Sequence, residues 1–220
     1  NIYLHYALDL WFSRRVSRQS RGKAYLFRFA DDFLACFQYK DDAVNFQRHL
    51  EARLERFGLQ LSKEKTHCIE FGRYARENAY KRGDKPKEFT FLGFTHYCGK
   101  TKEGYFKVKR RTSRKKLGQS LSKFTDWARH ARNVLKKGDM LRQARIRVFG
   151  HLNYYAITDN LERCHYYVRR TEQILFKWLN RKSQRRAYTW ESFAQALKWV
   201  GWPKPRIHKN LNPCRRAEVC

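Results

Sequence analysis

The run Tyr25-Leu-Phe-Arg-Phe-Ala-Asp-Asp-Phe-Leu-Ala-Cys-Phe37 constrains this chain more than any other stretch. Apolar and aromatic residues on both sides of the acidic pair predict two short buried strands. Asp31 and Asp32 interrupt that run, and a pair of anions in such a setting is expensive unless a cation lies against it. The tightest solution is a β-hairpin with the two carboxylates at its tip, facing a divalent metal. Hard oxygen donors suit Mg²⁺, which takes few protein carboxylates and keeps positions open for phosphates. The competing reading is a solvated turn, because Asp bonds its own local backbone. The flanking density of Tyr25, Phe27, Phe29, Phe33 and Phe37 argues against it.

Charge narrows the partner. The 220 residues carry 49 Lys+Arg against 20 Asp+Glu, a formal +29. Such an excess points to a polyanion, most often nucleic acid. Together with the Asp pair, it implies phosphoryl transfer on a nucleic acid. A basic protein of the membrane surface is the alternative, although no apolar run is long enough to span a bilayer and no signal-peptide pattern opens the chain. With 42% hydrophobic and 16% aromatic residues, a disordered polycation is excluded. The charge is also segregated. Residues 1–99 hold 18 Lys+Arg and 12 Asp+Glu, whereas residues 100–220 hold 31 and 8. The first part reads as a nearly balanced fold. The second, at +23, reads as a surface that grips a phosphate backbone and releases it in salt.

The six cysteines form no C-x-x-C pair and match no zinc spacing. Four of them, Cys36, Cys68, Cys98 and Cys164, read as small buried hydrophobes, and Cys214 and Cys220 lie in a basic tail. Reduced thiols of an intracellular protein are expected.

Periodicity sets the organisation. Residues 2–16 read as an amphipathic helix with Ile2, Leu4, Leu8 and Trp11 near one face, already mid-helix, so the chain is expected to be the later part of something longer. The acidic hairpin spans 24–38. Asp41 and Asp42 open a helix whose stripe is Ala43, Phe46, Leu50, Leu54 and Phe57, stopped by Gly58. A short extended segment starts at Leu59, and residues 72–88 read as a loop. Residues 89–97 predict one strand with Gly93 in its middle, marking a bulge or a close backbone approach, and residues 105–111 its hairpin partner. From Thr112 the period turns helical. One helix runs to about Lys136 with Leu117, Leu121, Phe124, Trp127 and Ala128 inward. A second starts at Asp139 with Leu141, Ile146 and Phe149, and a third at Thr158 or Asn160. Ser183 to Arg186 reads as a basic linker, and a shorter helix starts at Thr189.

Three further segments carry chemistry. A Lys in Ser62-Lys-Glu-Lys-Thr66 could neutralise a transferring phosphate or protonate a leaving group. Phe91-Leu-Gly-Phe94 could press a nucleic-acid backbone, with Gly allowing close approach. Basic residues interleave with aromatics through Lys107 to Lys116, His151 to Tyr155, Arg163 to Arg170 and Arg181 to Arg186, a pattern suited to folded RNA and single strands. Two metal ions at a nucleotidyl-transfer site need a third carboxylate, and neither Asp9 nor Asp41 and Asp42 is a good candidate.

The order Phe-Ala-Asp-Asp, then Gly58-Leu-Gln-Leu-Ser-Lys-Glu-Lys-Thr66, then Phe91-Leu-Gly-Phe94 resembles the last palm motifs of a reverse transcriptase. Gly150-His-Leu-Asn-Tyr-Tyr155 and Trp178-Leu-Asn-Arg-Lys-Ser-Gln-Arg-Arg186 resemble the maturase-specific region of group II intron-encoded proteins. The resemblance implies an α+β fold: a partial palm of antiparallel strands and helices over 1–111, an all-α thumb/maturase bundle over 112–182, and a basic C-terminal helix and tail over 183–220. It makes Asp31 a Mg²⁺ ligand with Asp32 beside it, and Lys65, or less readily Lys63, the basic residue of the following motif. Phe29 stands where that family often has Tyr. Phe91, Leu92, Gly93 and Phe94 would be a primer grip. Nucleic acid would also meet Arg110, Arg111, Lys115 and Lys116, then Arg169 and Arg170, then Arg181, Lys182, Arg185 and Arg186.

The partners so implied are group II intron RNA and a template–primer duplex, with no membrane partner and a deoxynucleoside triphosphate only if the upstream half is supplied. The expected setting is the bacterial cytoplasm at the nucleoid. Without fingers and the first palm Asp, the chain is not expected to polymerise alone, and poor solubility is expected from its uncovered palm surface. The alternatives are a non-catalytic RNA-binding maturase module, an inactive intron remnant and, ranked below both, a DNA-packaging protein.

Overall fold

The structure is a computed structural model that describes residues 2–62, 64–181 and 187–211. The fold is α+β: small antiparallel sheets and helices in the first part, then a helical region. The chain divides into two compact units, residues 1–91 with 100–107, and residues 92–99 with 108–220.

The first unit opens on a helical stretch: α1 (Ile2–Leu4), two π-helical turns (His5–Asp9 and Phe12–Val16) and α2 (Ser17–Gln19). The π turns shift which side chains face inward. Ala7, Leu8 and Phe12 are buried, whereas Ile2, expected on the inner face, stands in solvent. Strands β1 (Ala24–Phe29) and β2 (Asp32–Phe37) pair antiparallel, with Phe29 opposite Asp32 and Arg28 opposite Phe33. Helix α3 (Lys40–Glu55) follows as its apolar period requires, burying Phe46, Leu50 and Leu54, and Gly58 ends it at φ +65°. Phe46 is the hub of this core: Trp11, Phe12 and Phe37 all place their rings within 5.7 Å of its centroid.

Two expectations are corrected here. The hairpin strands are covered on one face alone: Leu26, Phe33, Ala35 and Phe37 pack inward, while Tyr25, Phe27 and Phe29 are more than half exposed. A two-stranded ribbon alternates its side chains, so one layer of helices covers only one of its faces. Residues 72–88 contain a helix, α4 (Ala75–Lys81), which buries Ala75 and Ala79. Glu70 anchors it, accepting from Asn78 and, at 2.8 Å, from Arg82. Such an anchor from outside the helix leaves no periodic trace. Among the described residues, Leu59 to Ser62 and Thr66 to Phe71, expected as a short extended segment, run outside any helix or strand ladder.

The segment expected as one strand through Gly93 is a tight hairpin: β3 (Phe89–Phe91), β4 (Phe94–Lys100) and then β5 (Phe106–Thr112), in the sheet order β3-β4-β5. Gly93 marks the turn rather than a bulge. Leu92 and Gly93 both take positive φ, +51° and +80°, the pair that a two-residue hairpin turn of matching twist demands.

The second unit is held by α5 (Arg114–Val134), α6 (Lys137–Tyr155) and α7 (Leu161–Asn180), with α8 (Trp190–Trp199) beside them. Its core runs through Leu117, Phe124, Ala128, Leu141, Val148 and Leu175 and reaches Phe193 of α8. Ser113 caps α5 by accepting from the Lys116 amide, and Thr189 with Ser192 forms a reciprocal capping box on α8. On α6 the inward face is Met140, Leu141, Ala144, Val148 and Leu152. Ile146 and Phe149, expected inside, point out, since α6 buries the positions one step around the helix.

The cysteine expectation also changes. Cys164 is buried, Cys98 half-buried, and Cys36 and Cys68 exposed; Cys214 and Cys220 lie outside the described residues. Among the described residues no helix is long and apolar enough to cross a membrane.

Candidate nucleic-acid and metal site

The turn of the acidic hairpin consists of Ala30 and Asp31, and Asp32 is the first residue of β2. Both carboxylates are solvent-exposed. Ala30 has φ +55°, a region in which an L side chain crowds the following carbonyl and where Gly ordinarily stands. The hairpin therefore holds its acidic tip in a disfavoured backbone conformation.

Arg28 bonds to this turn, and the sequence reading missed it. On β1 it falls on the covered face, between Leu26 and the tip. Its Nε and Nη2 donate to the two oxygens of Asp9 at 2.7 and 2.6 Å, and its Nη1 donates to the Ala30 carbonyl at 2.8 Å. Asp9 ends the first π turn, and His5 Nδ1 lies 3.3 Å from its Oδ2. The Arg28 hydrogen bonds draw the Asp9 carboxyl below its ordinary range, and Asp9 in turn raises the guanidinium. Asp9 is thus committed to Arg28. The signal for this pair was present: a lone Arg at a covered position of an alternating strand needs an anion.

The donor set suits an ion that keeps most of its own water. Two adjacent carboxylates at an open tip supply hard oxygens, as Mg²⁺ prefers. Among the described residues, no group of three or more His, Cys, Asp or Glu is disposed around a common ion. Lys65 is exposed in a turn closed by its own amide and that of Thr66 onto the Ser62 carbonyl, at 3.1 and 3.0 Å. Lys63 lies outside the described residues.

In the second unit the Leu92–Gly93 turn is firmly seated. Tyr154 Oη donates to the Leu92 carbonyl at 2.9 Å, and the Ser113 amide donates to the Gly93 carbonyl at 3.0 Å. Phe94 is buried and stacks on Tyr154, with centroids 5.7 Å apart and planes 21° apart. A Cβ at position 93 would lie 3.0 Å from Tyr155 Oη and 3.6 Å from the Lys116 stem. The close approach expected at Gly93 was that of another backbone, and the atoms nearest that Cβ position belong to side chains instead. The approaching group is a tyrosine of α6. Phe91 is half-buried in β3.

The basic residues divide by what they touch. Lys115 and Lys116 project into solvent from the first turn of α5, and Arg169 and Arg170 from α7, where Arg170 also bonds Gln173 at 2.6 Å. Arg110 and Arg111 are half-buried and engaged: Arg110 donates to the Leu211 carbonyl, and Arg111 lies over the Tyr97 ring at 4.9 Å. Arg181 is exposed and lies 5.7 Å from the Trp178 ring, which Arg132 also covers at 4.8 Å. Lys182, Arg185 and Arg186 lie outside the described residues. Further pairs that the sequence reading did not single out, Arg142 with Trp199 and Arg147 with Trp127, add guanidinium planes over indoles, at 4.9 and 4.7 Å.

Residues 1–96 match the family model of the reverse transcriptase (RNA-dependent DNA polymerase). The matched stretch takes in the acidic hairpin, α3 and the Leu92–Gly93 turn, so this part of the chain is similar to reverse transcriptases. Residues 97–220 lie outside the matched stretch. No curated protein matches the chain.

Proposed function

We propose that the chain acts in a group II intron-encoded reverse transcriptase/maturase, binding structured intron RNA through its helical unit and assisting splicing and intron mobility. The observation that carries the reading is the seating of the Leu92–Gly93 turn: the last motif of the matched stretch is fastened by Tyr154 and Ser113 onto helices that belong to the strongly basic part of the sequence. Exposed Lys115 and Lys116 flank that turn at the start of α5, where they can neutralise phosphates.

Asp31 and Asp32 would hold Mg²⁺. When bound, the ion would polarise phosphate oxygens and favour ionisation of an attacking hydroxyl. The chain's own contribution is to present two carboxylates at a tip fixed by Arg28. With Asp9 engaged by Arg28, these residues offer one incomplete ligand set, and polymerisation by this chain alone is not proposed. That commitment of Asp9 also favours a second reading, a non-catalytic RNA-binding module in which the Asp pair is idle. The proposed setting for either is the bacterial cytoplasm.

The test is binding of the purified chain to a group II intron RNA and to an unrelated structured RNA of equal length across a salt series. A preference for intron RNA that survives moderate salt supports the proposal. Equal binding to both, lost together as salt rises, overturns it and leaves non-specific charge attraction. Manganese binding that disappears in Asp31→Asn separates a working metal site from an idle pair.

A further inference from the structure

We propose that Arg28 is a positioning residue for the acidic tip, a spacer whose guanidinium ties the π-helical turn at Asp9 to the backbone that aims Asp31 and Asp32. Arg28 uses its fork on Asp9 and its remaining nitrogen on the carbonyl of Ala30, the residue immediately before Asp31. Ala30 is the strained member of the turn. A charge-assisted bond to its carbonyl fixes the peptide plane that leads into Asp31, and so restricts where that carboxylate points. The Asp9 end of the tie is itself set by the π turn, a helix irregularity that recurs at functional sites and here turns Asp9 toward the strand.

Geometry distinguishes this from a surface ion pair. The two side chains are 15% and 27% exposed, the pairing is two-pronged, and a third bond leaves the pair for the turn. Lysine keeps the charge but not the planar fork, so it cannot serve Asp9 and Ala30 together. The purpose of the tie rests on reading Asp31 and Asp32 as metal ligands, whereas the tie itself does not.

The experiment compares the full chain with Arg28→Gln, Arg28→Lys and Asp31→Asn by amide hydrogen exchange and by electron paramagnetic resonance of added Mn²⁺. In both Arg28 variants the amides of Ala30 to Phe33 are expected to exchange about tenfold faster, the size expected for a lost hydrogen bond to a charged group. The α3 amides should be unchanged. Mn²⁺ binding should weaken about tenfold in both variants and vanish in Asp31→Asn. Arg28→Lys guards against a variant that fails to fold, since it retains the charge opposite Asp9. Unchanged tip exchange, or equal acceleration across the hairpin and α3, overturns the positioning role. Absence of Mn²⁺ binding by the unaltered chain overturns the metal-site reading instead, and the exchange data still decide the role of Arg28.

Discussion

His151 of α6 is the most perturbed histidine of the helical unit. Its ring stacks on Tyr167 at 3.6 Å with planes 13° apart and lies 4.5 Å from the Tyr155 ring. Its buried Nε2 has no hydrogen-bond partner among the described residues. Burial pushes its pKa down from 6.5 to about 4. Below pH 6.5 the unfolded chain therefore takes a proton that the folded chain refuses until about pH 4. The neutral ring supports the fold fully above pH 6.5, and that support drains away as the pH falls toward 4. Between pH 7 and pH 5 the loss should be about 2 kcal/mol. His151→Phe keeps an aromatic ring between the tyrosines and cannot be protonated, so it should remove that part of the acid sensitivity. Urea midpoints of both proteins at pH 7 and pH 5 check this; parallel losses in the two would show that His151 does not titrate as described.

At the scale of elements, the two hairpin turns share a liability. Ala30 and Leu92 both sit at positive φ without being glycine, in hairpins whose strands fix the conformation. A left-handed L residue costs about 1–2 kcal/mol. Ala30→Gly and Leu92→Gly should therefore each raise the denaturant midpoint, by about 1 kcal/mol in stability once glycine's added chain entropy is deducted. Gly93→Ala should act in the opposite sense, through both its φ of +80° and the 3.0 Å approach of Tyr155 Oη. A lowered midpoint for Ala30→Gly would mean that the hairpin does not hold position 30 in that conformation. These turns also show what the sequence made legible. The acidic hairpin was readable because alternating apolar residues flank a turn-forming pair. Helices α3, α5 and α7 were readable because Phe46, Leu50 and Leu54, then Leu117, Phe124 and Ala128, then Cys164, Val168 and Leu175 repeat at helical spacing. Leu92 hid the second turn, since a bulky apolar residue there reads as continuing strand. The π turns hid the inward positions of the first helical stretch, because they break the period that would reveal them. The Asp9–Arg28 tie joins residues 19 positions apart, so the sequence marks Arg28 as needing an anion but does not point to Asp9 as the partner.

Across the whole molecule the charge asymmetry has a measurable consequence. Residues 1–99 carry a net +6 and residues 100–220 a net +23, so nucleic-acid affinity should depend on the second stretch. Each basic side chain that neutralises a phosphate releases a counterion and steepens the salt dependence by about 0.7–0.9 in the slope of log K against log salt. Lys115 and Lys116 are exposed at the start of α5, and neither forms an ion pair among those seen in the described residues. Arg110 is half-buried and already donates to the Leu211 carbonyl. The double change Lys115→Ala and Lys116→Ala should thus flatten the slope by about 1.4–1.8 and weaken intron and unrelated RNA alike. Arg110→Ala should leave the slope nearly unaltered and lower thermal stability instead, because its guanidinium is engaged with the chain's own backbone. A filter-binding series from low to moderate salt on the three proteins separates these outcomes. If Arg110→Ala flattens the slope while the lysine pair does not, the nucleic acid is gripped along β5 rather than at the start of α5, and the phosphate-contacting face must be moved accordingly.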